Sequence, residues 1–170
     1  MATIGFILFA LFPLAMAFAA ASDLFTMTIS NKLTLALLVG FVLLFPLTGM
    51  DLSTFGLHVV AGSIVLAIAF TCFAFGWIGG GDAKLAAVIV LWVGAGHAVE
   101  FIVMSALFGG ALTLLLLAFR KQIALPVSFM GQEWLVRLHD QRTGVPYGIA
   151  LAAAALVIYP NTVWLSIATV

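Results

Sequence analysis

Uncharged stretches at 1–22, 33–50, 52–81, 85–99, 101–119 and 143–170 are separated by short segments that hold every acidic and basic side chain. A membrane-spanning helix needs about 17–25 apolar residues, and every run except 85–99 is near or above that length. The short run becomes long enough if its helix begins near Asp82, with Lys84 snorkelling back to the interface. The pattern predicts helices at about 4–22, 33–49, 56–76, 82–96, 98–118 and 147–167. The expected fold class is all-α, a polytopic membrane protein of six transmembrane helices forming one domain over 1–170. Gly94-Ala95-Gly96 reads either as a tight turn or as a helix-packing surface.

Composition agrees with this pattern. The chain is 65% hydrophobic and 7% charged, against about 25% charged in an ordinary soluble domain. Net charge is zero, which argues against a nucleic-acid partner and against a strongly acidic substrate. Cys72 is the single cysteine. It excludes an internal disulfide and any thiolate-built metal centre, and reads as a small apolar helix residue. No stretch outside the apolar runs is long enough for an independent soluble core.

The charges also orient the spans. Lys32 falls in connection 23–32, Lys84 in 77–84, and Arg120, Lys121, Arg137 and Arg142 in 119–145. With six spans these three connections share one face, and the opposite face has no lysine or arginine. Positive residues mark the cytoplasmic side, so both termini are expected outside a cytoplasmic (inner) membrane. The small residues at 17–22 resemble a signal-peptidase site, but the preceding residues lack the basic region of a signal peptide, so 1–22 reads as a retained span.

Two carboxylates stand out on this layout. Asp23 lies at the cytoplasmic end of the first span and Asp82 at the cytoplasmic start of the fourth. Carboxylates at membrane depth are costly, and their default reading is functional. Asp82 follows Gly79, Gly80 and Gly81, which lack a Cβ and let the backbone unwind or approach another chain closely. Irregular backbone at membrane depth survives only when buried in protein or lining a hydrated cavity. Two carboxylates in hydrogen-bonding range resist double ionisation and share one proton. The ionised member can deprotonate a water that attacks a scissile carbonyl, while the protonated member donates to the developing oxyanion. The bland reading makes Asp23 an interfacial residue and Asp82 a helix cap, a role aspartate favours.

These residues resemble the type IV prepilin peptidases, particularly the short form associated with Flp/Tad pilus systems. Gly79-Gly80-Gly81-Asp82-Ala83-Lys84-Leu85 matches the family's Gly-X-Gly-Asp-X-Lys-Leu motif in full. Asp23, followed by Ile29-Ser30-Asn31-Lys32-Leu33, is similar to the family's first aspartate and its Ile-Pro-Asn-X-Leu segment, with Ser30 in place of proline. Val145-Pro146-Tyr147-Gly148-Ile149-Ala150 resembles the Pro-Tyr-Gly segment that opens the last span. The resemblance implies a membrane aspartic endopeptidase with Asp23 and Asp82 catalytic and with no metal or cofactor. It implies removal, at the cytoplasmic face, of the short basic leader of a prepilin or pseudopilin whose own N-terminal helix is hydrophobic. Its surroundings would be the lipid bilayer and a pilus-assembly machine. Longer members carry a paired-cysteine segment and methylate the new N-terminus; this chain has one cysteine, so no methyltransferase activity is expected.

Other residues carry weaker signals. Lys84 reads as an interfacial anchor or as a group that tunes the aspartates. Asn31 reads as a substrate-backbone contact or a turn residue. Pro146 is ordinary in a first helical turn, and Tyr147 offers its hydroxyl to the pocket or sits in an interfacial belt. Asp51, His58 and Glu100 fall on or near the outer side. His97 and Glu100 share a helical face at i,i+3, but further metal ligands are lacking. The segment 127–142 reads as an amphipathic interfacial helix, either a connector or a platform for the leader. Arg120 and Lys121 read as stop-transfer charges, and His139 has no evident partner.

Alternatives from other classes stay open. In a small proton-coupled transporter the two aspartates would carry protons, but transporters are commonly built from repeats and no duplication of the first three spans is evident. A non-catalytic membrane subunit of a pilus or secretion machine would tolerate aspartate substitution. A protease cutting within transmembrane segments would use similar chemistry at greater depth.

Overall fold

The computed structural model describes residues 2–122 and 131–164, with side chains for 10–121 and 131–164, and all regular elements among them are helical. They are α1 (Ala2–Thr26), α2 (Asn31–Thr48), α3 (Leu52–Ala74), α4 (Gly80–Val93), α5 (Ala98–Gln122), α6 (Glu133–His139) and α7 (Gly148–Ile158). Short 3-10 turns follow α4 at Ala95–His97 and α7 at Tyr159–Asn161. The all-α expectation holds for these residues.

Helix ends differ from the sequence expectation where polar groups override apolar length. α1 continues past residue 22 to Thr26, so Asp23 lies in its last turn rather than opening a loop. The Thr26 hydroxyl donates to the Ser22 carbonyl at 2.7 Å and Ser22 Oγ to the Thr28 carbonyl at 2.9 Å. Met27 then turns left-handed at φ 53, and its N–H donates to the Asp23 carbonyl at 2.8 Å, a single-bond αL stop. Ser30 caps α2 by accepting the Lys32 N–H. Asp51 caps α3 by accepting the Thr54 N–H, and its carboxylate also takes the hydroxyls of Ser53 and Thr54. These bonds hold the exposed Asp51 carboxyl down to about 2.

Among the described residues, three segments, Asn31–Thr48, Leu52–Ala74 and Ala95–Lys121, are long and apolar enough to cross a membrane. α4, at 14 residues, reaches only about 21 Å at 1.5 Å per residue, short of the roughly 30 Å hydrocarbon core. It stops because Gly94 adopts φ 86, where a Cβ would come within 2.7 Å of the His58 ring. Gly94-Ala95-Gly96 is thus a turn. α7 is shorter than the expected 147–167, giving way to the 3-10 turn that contains Pro160; residues 165–167 lie outside the described set. The expected amphipathic helix at 127–142 is helical only over Glu133–His139, and residues 127–130 also lie outside the described set.

α4 and α7 are the most buried helices. α3 and α2 pack on α4, α1 and α5 pack on α7, and the two inner helices meet. Small residues permit this: Gly148, Ala150, Ala152, Ala154 and Ala155 are all buried on α7, as small side chains at helix interfaces allow close backbones. The outward faces carry exposed Leu35, Leu43, Ile64, Phe70, Leu114 and Leu115. An apolar exterior of this extent marks a membrane protein rather than a water-facing surface.

Candidate active site

Asp23 and Asp82 come from distant parts of the chain, and one residue, Ile29, packs near both. Asp23 is 5% exposed, and its Oδ2 accepts the backbone N–H of Gly148 at 2.7 Å. That places the carboxylate against the start of α7, where the first-turn N–H groups have no helical partner. A Cβ at Gly148 would fall 2.8 Å from Asp23 Oδ2 and 2.9 Å from Ile29 Cδ1, so any larger residue there must displace one of those side chains. Ile29 is a bridge: a Cβ on Gly81 would lie 3.1 Å from Ile29 Cβ. One side chain therefore packs against the glycine beside Asp23 and the glycine beside Asp82.

Asp82 is the third residue of α4, after Gly79 in the cap position. Its carboxylate reaches back to the Gly79 backbone, the acidic half of a capping box. A Cβ at Gly79 would sit 2.7 Å from Asp82 Oδ2. Asp82 is therefore not the N-cap of the bland reading, a position that Gly79 holds, but a first-turn residue whose carboxylate turns back on that cap. The field of Asp23 acts on Asp82, and that of Asp82 reaches the Tyr147 hydroxyl.

The other sequence candidates divide. Tyr147 donates its hydroxyl to the Ser105 carbonyl at 3.0 Å, with its ring lying flush on Gly109, where no Cβ would fit. It anchors the entrance to α7, and Pro146 beside it is buried. Lys84 Nζ donates to Asn31 Oδ1 at 2.9 Å, tying the start of α4 to that of α2; this partnership was absent from the sequence reading. Asn31 and Lys84 stand at one end of an apolar groove of about 620 Å³ between α2, α3 and α4, lined by Leu35, Leu38, Val59 and Leu66. Gly80 packs against the Phe73 ring.

His97 and Glu100 pair at 3.2 Å, and no cluster of three or more metal-ligating side chains occurs among the described residues. His58 is buried and bonds the Leu91 carbonyl at 2.8 Å, toward the end of α4 remote from Asp82. His139, for which the sequence offered nothing, stacks edge-on to Phe119 at 5.4 Å. Sequence reasoning missed Gly148 as a donor, Ile29 as a bridge and Arg120 as a buried group. The segment 145–150 had been singled out, but nothing in it says which N–H meets a carboxylate 125 positions away.

These elements define an all-helical membrane protein with an acidic pair at one end of its helices. Residues 10–114 match the type IV leader peptidase family, more than half of the chain, and the chain belongs to that family. It is accordingly a peptidase of the leader-processing kind, in a family whose chemistry is aspartic. Searches of curated proteins and of solved structures found no match.

Proposed function

We propose that the protein is an aspartic endopeptidase that removes the basic leader of a prepilin-like, Flp-type precursor, with Asp23 and Asp82 as the catalytic pair. The carrying observation is the shared neighbourhood of the two carboxylates: Ile29 packs against Gly148, whose N–H bonds Asp23, and against Gly81, which directly precedes Asp82. In this reading the pair shares one proton. The ionised member takes a proton from water, the hydroxide equivalent attacks the scissile carbonyl, and the protonated member donates to the carbonyl oxygen and then helps expel the amine. The pair titrates as a unit, so the acid and base labels belong to it jointly.

Supporting parts have assignable roles. Gly79, Gly80 and Gly81 let an extended substrate strand approach the α4 start. The Lys84–Asn31 bond holds the rim, and Pro146 and Tyr147 set the α7 entrance. The neighbouring groove suits the apolar segment that follows the leader. The arrangement belongs to a single domain of six spans in the cytoplasmic membrane, with both termini outside and the acidic pair on the cytoplasmic side, where the basic residues lie.

The test is cleavage of a precursor with a short basic leader and a following apolar helix, by purified protein in detergent or vesicles. Asp23→Asn and Asp82→Asn should each lower the rate by about a thousandfold or more, with helicity and membrane insertion unchanged. Wild-type processing by both single variants would end this reading and favour a non-catalytic subunit.

A further inference from the structure

Arg120, at the end of α5, is 8% exposed and does not behave as a charge resting among lipid headgroups. Its Nε donates to the Leu138 carbonyl at 2.8 Å and Nη1 to the Thr143 carbonyl at 3.2 Å. Nη2 reaches Thr143 Oγ1 at 3.1 Å and the Gly144 carbonyl at 2.9 Å. Among the described residues it forms no ion pair with a carboxylate; the only such pair is His97 with Glu100. A buried guanidinium is costly unless its donors are satisfied. Here three backbone carbonyls and the Thr143 hydroxyl oxygen within 138–144 do this, and five donors in a fixed planar fork suit the task as an ammonium would not.

What the fork holds is the chain that enters α7. Gly144 is four residues before Gly148, whose N–H meets Asp23. Thr143 tightens the same turn by donating to the Arg137 and Asp140 carbonyls at 2.6 and 2.7 Å. The preceding α6 is in turn fastened to the end of α1. Arg137 Nη1 donates to the Thr26 carbonyl at 3.2 Å, and Trp134 meets Phe25 edge-on at 5.4 Å. The segment is therefore clamped at α5 on one side and at the Asp23-bearing turn on the other.

We propose that Arg120 is a positioning residue for the peptidase reaction: by clamping 138–144 it sets the backbone of Gly148 so that its N–H meets the Asp23 carboxylate. This rests on the reading of Asp23 as a member of the catalytic pair. A hydrogen bond to the ionised carboxylate favours that form, so loosening the clamp disfavours it. The acidic limb of the rate profile then moves to higher pH, and turnover falls while substrate affinity holds.

The test compares Arg120→Met, Arg120→Lys and Thr143→Val with wild type in the full-length protein. Arg120→Met should lower kcat about tenfold or more, since small misplacements at a reacting centre are costly, with KM within about twofold. Lysine should rescue only part of the loss, and Thr143→Val, which removes one of the four contacts together with the hydroxyl's bonds to the Arg137 and Asp140 carbonyls, should give a smaller loss in the same direction. Independently of activity, the Gly148 amide resonance in glycine-labelled protein should move toward its position in Asp23→Asn. Wild-type kcat and pH limb in folded Arg120→Met overturn the proposal, and so does a loss of kcat with an unmoved Gly148 resonance. Should Arg120→Met fail to fold, Thr143→Val decides by the same two readouts. If Asp23→Asn itself cleaves normally, the catalytic reading fails, while the resonance still reports whether Arg120 places Gly148.

Discussion

The two ends of the helix assembly are held by different forces. Away from the aspartates, Phe12, Phe41, Trp92 and Trp164 are fully buried, and Trp92 lies 4.8 Å from Trp164 and 5.3 Å from Phe12, centroid to centroid. Their polar handles are satisfied: Trp92 Nε1 donates to the Leu37 carbonyl at 3.1 Å and Trp164 Nε1 to the Trp92 carbonyl at 2.6 Å. Interlocked rings of this kind leave few alternative packings. The aspartate end instead depends on single polar pins between distant segments: Gly148 to Asp23, Lys84 to Asn31, Arg137 to Thr26, and the Arg120 fork. A single hydrogen bond contributes about 1 kcal/mol net, more where a charged group is involved, against several for a buried aromatic ring. The packed end thus carries stability, and the pinned end carries geometry.

Substitution should separate these two contributions. Trp92→Ala removes the centre of the aromatic cluster and should cost about 3–5 kcal/mol of stability, read by thermal or denaturant unfolding in detergent. Protein that remains folded should cleave at close to the normal rate, and a large loss of turnover at unchanged stability would contradict the division. Gly148→Ala should do the reverse. Its methyl group collides with Asp23 and Ile29, so cleavage should fall about a hundredfold with a much smaller drop in the unfolding midpoint. The least effect is expected at Asp51. Its folded carboxyl is held at about 2, below the ordinary value of 3.8. Its contribution is therefore present above pH 4 and lost as pH falls through about 2. Carboxyl NMR titration should show that low midpoint, and Ser53→Ala should raise it.

Much of the fold could be read from the chain because lipid and water sort residues so strongly. Uninterrupted apolar runs announced helices, but α3 begins at Leu52 rather than near 56, because Asp51 caps it by accepting the Thr54 N–H. The ends were harder to read. Asp23 was expected to open a loop, yet local hydroxyl bonds and a left-handed Met27 carry α1 beyond it. Arg120, with Lys121, read as a stop-transfer charge, because an arginine after an apolar run looks the same whether it meets headgroups or four protein acceptors.

The candidate chemistry divides along the same line. That Asp23 and Asp82 are unusual follows from the cost of a carboxylate in an apolar environment, a property of local sequence. Gly79, Gly80 and Gly81 announce a close backbone approach for the same local reason. That Ile29 packs against both glycines, that Gly148 supplies the N–H, and that Arg120 bonds the segment leading into α7 are decided only by tertiary structure. Contacts across more than a hundred residues depend on how helices pack, and packing answers to shape and small-residue placement along whole faces, which no single motif encodes.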